Sequence, residues 1–220
     1  MSGTLEIKIL IILGVVFFFI YSAPLAGLMV FNSPDENANF VFTEYFSKNF
    51  DLRLPAPTAL PGLEYLTPRS VIFHNGFLVP GGFIGLPLIY GAITYVLSLV
   101  IGPFDFAQGR HWSLVIVLLT PFFAILGVLA FFGIIRRIFH DRLALIASVL
   151  LFIHPAFWYW ASRPMMPNTL FISLFLLGLY FLIRIIIPYQ ETRKIPNPKS
   201  QILPLRGISR SETTGSAIFK

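Results

Sequence analysis

Apolar positions along the chain gather into long uninterrupted blocks. The first, Ile9 to Phe31, holds no charged residue and, at about 1.5 Å per residue, reaches the ~30 Å of a hydrocarbon core. Further blocks follow at roughly 80–101, 112–135, 143–161 and 165–187. These predict membrane-spanning or membrane-associated helices. A secretory signal peptide is the competing reading of the first block, because YSAPLAG offers small residues near a possible cleavage point. The run is longer than a signal core of roughly 7 to 15 residues, which favours a retained span. Beyond Pro188 the chain turns polar, basic and proline-bearing, with too little apolar periodicity to bury a core. The reading is a membrane module over 1–187 and a basic, disordered cytoplasmic tail over 188–220.

Lys and Arg near the block ends set the orientation. RRIFHDR, with Arg136, Arg137 and Arg142, predicts a cytoplasmic turn, and the tail with Arg193, Lys194 and Lys199 lies two spans later on the same side. Either the amino terminus is outside, or it is also inside and the block at 80–101 does not fully cross; the second reading is favoured. The block's glycines and Pro87 suggest a re-entrant or surface-lying hairpin. The stretch from 32 to about 111 is then one large extracytoplasmic loop, and SRPMMPN at 162–168 emerges in the same compartment.

That loop begins with SPDENANF. Ser33 as N-cap, Pro34 at the first helical position and Glu36 three residues after the cap spell a capping box. The positions that follow predict an amphipathic helix lying at the membrane surface. Ala38, Phe42, Tyr45, Phe46 and Asn49 form its apolar-leaning face, and Glu36, Asn39, Thr43, Ser47 and Lys48 the opposite one. Local pattern alone explains Asp35 and Glu36 as favourable charges at a helix N-terminus.

Composition agrees with a membrane protein: 56% of residues are hydrophobic and 12% charged. No cysteine is present, so disulfide frameworks and thiolate metal sites are excluded. The net charge of +6 sits beside apolar segments rather than along a polar domain, which argues against nucleic acid as a partner and for membrane lipids. There is no Walker loop, dinucleotide fingerprint, zinc spacing or serine-nucleophile elbow.

An Asp-Glu pair at the end of a first span, an outer helix, an apolar outer segment, a span ending RRIFHDR and a further span ending SR before a proline turn resemble the amino-terminal part of GT-C membrane glycosyltransferases. The nearest group is that of the protein O-mannosyltransferase-like and aminoarabinose-transferase-like enzymes, and the likeness covers about residues 5–187. It implies an all-α polytopic protein of the plasma (inner) membrane that moves a sugar from a polyprenyl-phosphate donor to a protein, lipid or glycan acceptor outside the cytoplasm. Members of that group have more spans, so the likeness also implies a shortened form. It implies Asp35 as catalytic base with Glu36 beside it, and Arg163 as the cation on the departing phosphate. Asn168 stands where such enzymes often carry an Asp, and Asn37-Ala38-Asn39 departs from an arginine and tyrosine sometimes found there. An Asn cannot bring charge to a metal, so the likeness leaves a divalent ion undetermined.

Arg69 and His74 are further polar candidates of the outer loop for substrate binding; for His74 the alternative is an interfacial structural residue. Asn168 is also readable as the cap of the next helix, and Arg163 as an arginine snorkelling from a helix end. His154, inside the block at 143–161, reads as a side chain satisfying backbone groups freed by Pro155. Trp158, Tyr159 and Trp160 read as an interfacial aromatic belt. A different functional class stays open: a small non-catalytic membrane scaffold or complex subunit, its basic tail on anionic lipid.

Overall fold

The computed structural model describes residues 3–25, 31, 33–56, 69–101 and 110–186. The predicted tail at 188–220 lies outside them. Helix α1 (Gly3–Ser22) runs into a short 3-10 turn at Ala23–Leu25 and is followed by α2 (Pro34–Asn49). Three short strands come next, β1 (Leu54–Pro55), β2 (Val71–His74) and β3 (Phe77–Pro80), then α3 (Gly85–Ile101) and α4 (Arg110–Ile138). Helices α5 (Asp141–Ile153), α6 (Pro155–Ala161) and α7 (Pro167–Ile186) complete the described chain.

Among the described residues, three helices are long and apolar enough to cross a membrane: Leu5–Leu25, Ser113–Ile138 and Pro167–Ile186. The pair α5 and α6 makes a fourth if taken as one span bent by 63°. The bend falls where chemistry places it. A residue before proline is pushed out of the helical region, and His154 takes φ −62°, ψ 124°. Its side chain is exposed and satisfies no backbone carbonyl among the described residues, contrary to the expectation from the sequence.

A shared apolar core ties α1, α4, α5 and α6 together. Phe17 stacks on Phe152 at 4.6 Å, and the Tyr21 hydroxyl donates to the Phe152 carbonyl at 2.7 Å, which satisfies a polar group that would be costly buried alone. Helices α4 and α7 pack closely because Gly127 leaves room: a Cβ there would lie 2.8 Å from Ser173 Oγ. A second cluster joins Leu86 and Tyr90 of α3 to Ile116 and Phe123 of α4 and to Met165 and Leu170 near the start of α7. Phe31 and Phe40 pack against it. Helix α3 is thereby fastened to the ends of α4 and α7 nearest the α6–α7 turn.

Three expectations need correcting. The block at 80–101 is not a hairpin of two apolar limbs but the end of β3 followed by one continuous helix. At 17 residues, α3 is about 26 Å long and falls short of a ~30 Å core. Nor is the protein all-helical. The strands form an antiparallel sheet in the order β1-β3-β2, with Ile72 opposite Val79 and Phe73 opposite Leu78. Its hairpin turns at Asn75 and Gly76, at φ 48° and 80°, the two left-handed positions of a tight turn whose twist matches the strands.

The third correction concerns α2. Ala38 and Phe42 are buried as expected, but so are Glu36, Thr43 and Ser47 of the supposed polar face. The polar face of α2 is not its solvent side, because α3 runs along it. The contact is close enough that a Cβ on Gly91 would come within 2.7 Å of Phe46 Cδ1 and 3.0 Å of the Thr43 carbonyl. Small polar side chains such as Ser47 fit under such an approach, and Ser47 turns its hydroxyl back onto the Glu44 carbonyl at 2.7 Å.

Candidate functional site

The site grows from the start of α2. Ser33 is extended at φ −138°, ψ 152°, and its side chain accepts from the Glu36 amide at 3.2 Å while Glu36 Oε2 accepts from the Ser33 amide at 3.1 Å. Both halves of the predicted capping box are present, so two of the orphan amides of the first turn are satisfied. Asn37 Nδ2 adds a bond to the Ser33 carbonyl at 2.9 Å.

Glu36 does more than cap. It is 1% exposed, and a buried carboxylate needs a counter-charge. Arg163 supplies it from the turn between α6 and α7, through Nε to Oε1 at 2.9 Å and Nη2 to Oε2 at 3.0 Å. Arg163 is fixed in turn by Tyr159 one helical turn earlier, whose hydroxyl accepts from Nη1 at 2.5 Å. The bond to Glu36 holds the Arg163 guanidinium above its usual pKa; partial burial works against it and the Tyr159 bond adds to it. A further bond braces the same junction: Asn39 Nδ2 donates to the Met165 carbonyl at 2.8 Å. Met165 is fully buried with φ 62°, a left-handed conformation unusual for a long side chain.

Asp35 faces a different partner. It is half-buried, and the Ser70 hydroxyl donates to its Oδ1. Ser70 closes the base of the β2–β3 hairpin, its carbonyl accepting from the Gly81 amide at 2.8 Å. The sheet therefore delivers a hydroxyl to Asp35. The two acids thus occupy different environments: Glu36 is enclosed with an arginine, and Asp35 stands at the edge with a serine.

The remaining candidates sit apart. Arg69 is exposed immediately before Ser70. His74 lies at the hairpin tip, exposed and 3.1 Å from Asn75 Nδ2; four residues of strand put it about 13 Å from Ser70. Asn168 is half-buried in the first turn of α7, one residue inside the helix rather than at its cap, and its side chain bonds no other described residue. Among the described residues no three His, Asp or Glu side chains gather as a metal site. Reasoning from sequence did not single out Ser70, Tyr159 or Asn39 as partners. The Tyr159–Arg163 contact had a signal, since residues four apart on a helix are neighbours. The Ser70–Asp35 contact had none in local pattern.

No protein-family model matches the chain, and neither a curated protein nor a solved structure matches it.

Proposed function

We propose that this chain belongs to a GT-C-like glycosyltransferase of a plasma (inner) membrane, one that transfers a sugar from a polyprenyl phosphate to an extracytoplasmic acceptor. The observation that carries the reading is the meeting of SPDE and SRPMMPN, 127 residues apart, through the Glu36–Arg163 pair. A catalytic acid and a cation for the leaving phosphate must share one face of the membrane, and these two motifs do share one site.

The geometry divides the labour between the acids. Glu36 is spent on the cap and on Arg163, so it organises the site, and Asp35 is the acid at its edge. In the proposed reaction Asp35 accepts the proton of the acceptor hydroxyl as that oxygen bonds to the anomeric carbon. The bond from the anomeric carbon to the phosphate oxygen breaks in the same displacement, with inversion, and the lipid phosphate departs with the electron pair. An arginine offers five N–H donors, and three of those on Arg163 are engaged with Glu36 and Tyr159. The others are free to receive phosphate oxygens by charge-assisted bonds.

Asp35→Asn tests this directly in membranes supplied with a polyprenyl-phosphate sugar. Loss of transfer by a factor of about 10² or more, with unchanged insertion, is expected for loss of a general base. Full activity sinks the proposal. A second reading, a non-catalytic scaffold, is favoured by one feature, the complete use of Glu36 in holding α2 to the α6–α7 turn; it predicts that Asp35→Asn changes nothing.

A further inference from the structure

A cavity of about 470 Å³ lies between α2 and the sheet. Ala38, Val41 and Phe42 line it from α2, Leu54 from β1, Val71 from β2 and Leu78 from β3. Its polar edge is Ser33 and Asn37, whose polar groups already serve the cap of α2. The wall thus offers dispersion contacts and little hydrogen bonding, and a sugar or a peptide would lose its hydration there without replacement. At about 30 Å³ for a water-sized group, the volume takes roughly fifteen such groups, the size of one long hydrocarbon chain. Phe31, also in the wall, stands six residues beyond the end of the first span at Leu25, so the cavity lies within about 20 Å of that end. Val41 remains 42% exposed at its side, leaving a way in. Arg69, exposed and two residues from Val71, puts a cation near the wall, complementary to an anionic head.

We infer that this cavity is a binding site for one acyl chain of an anionic bilayer phospholipid, with the phosphate of its head on Arg69. The chain fills the gap between α2 and the sheet and holds the two together. Pro34 and Val71 both belong to the wall and are the immediate neighbours of Asp35 and Ser70, so the bound chain lies against the elements that make the Asp35–Ser70 contact. The inference rests on membrane embedding and not on the transferase reading.

The test uses the full chain in lipid nanodiscs of phosphatidylcholine and phosphatidylglycerol, with a phosphatidylglycerol probe bearing a diazirine at the end of a palmitoyl chain. After irradiation, adducts are expected on peptides carrying Phe31–Phe42 and Val71–Leu78. Ala38→Trp, which fills the cavity, reduces those adducts several-fold and leaves adducts on the exposed Phe122 side of α4 unchanged. Val71→Trp on the opposite wall repeats the blockade, so a folding defect of one variant does not decide the outcome. Arg69→Ala lowers the preference for the phosphatidylglycerol probe over its phosphatidylcholine counterpart. Adducts insensitive to both tryptophans overturn the site. Adducts displaced by polyprenyl phosphate but not by excess unlabelled phosphatidylglycerol overturn the phospholipid as occupant. Asp35→Asn retains the adducts whether or not it abolishes transfer, so the two proposals fail separately.

Discussion

Glu36 is shared between a helix cap and an ion pair, and the pair needs its charge. Removing one partner of a buried pair strands the other, at a cost of about 3–5 kcal/mol. The cap alone is worth about 1 kcal/mol. Arg163→Ala, which strands the enclosed Glu36, is therefore expected to destabilise the protein by roughly the larger figure, and Ser33→Ala by roughly the smaller. Unfolding in detergent followed by tryptophan fluorescence reads the difference. Equal losses for Arg163→Ala and Ser33→Ala would show that the pair holds nothing. Because the Arg163 pKa is raised, its contribution is complete below the ordinary arginine pKa and lost only as pH climbs through the folded value. No loss from the guanidinium is expected between mildly acidic and mildly alkaline conditions. The cap was legible in the sequence because its residues lie within one turn. The partner of Glu36 was not, because it lies 127 residues further along the chain and is brought there by packing.

Elements were legible where one signal dominated and misread where two competed. Long apolar runs gave the helices, though α1 begins and ends earlier than the apolar count suggests, since Pro24 lies just beyond Ser22. VIFHNGF precedes a long apolar block whose signal outweighs it, yet Asn-Gly between apolar strands is a strong β-hairpin signal. The buried face of α2 was misassigned because amphipathicity assumes solvent on the polar side, and α3 and Arg163 occupy that side instead. The hairpin has its own test. A Cβ on Gly81 would meet Ile72 Cγ1 at 3.1 Å and the Ser70 carbonyl carbon at 3.2 Å, crowding the residue that bonds Asp35. Gly76 has open space but φ 80°, so an added Cβ there costs about 1–2 kcal/mol through backbone strain alone. Faster amide hydrogen exchange over residues 70–81 is expected for Gly76→Ala and Gly81→Ala. Unchanged exchange in Gly81→Ala would mean that the strand yields without disturbing Ser70.

At the scale of the molecule, the pairing of the α2 start with the α6–α7 turn constrains how the helices are threaded. The turn between α4 and α5 lies at the other end of α4, where Arg136 Nε bonds Asp141 Oδ1 at 2.5 Å. If α4 and the bent α5–α6 pair each cross a bilayer, the sheet and the Arg136 turn lie on opposite sides, and the excess of arginine predicts the latter on the cytoplasmic side. The chain has no cysteine, so single introduced thiols report sidedness cleanly. Asn75 and His140 are both exposed, and neither belongs to the Glu36–Arg163 site. Ser162 is a poor reporter, since its hydroxyl is buried. With an impermeant thiol reagent on intact cells, Asn75→Cys is expected to label and His140→Cys to label only after the membrane is opened. Labelling of both in intact cells would mean that α4 does not cross. The Glu36–Arg163 pair would survive that result, but the positions of the donor and its leaving phosphate would have to be rebuilt from a different membrane plane.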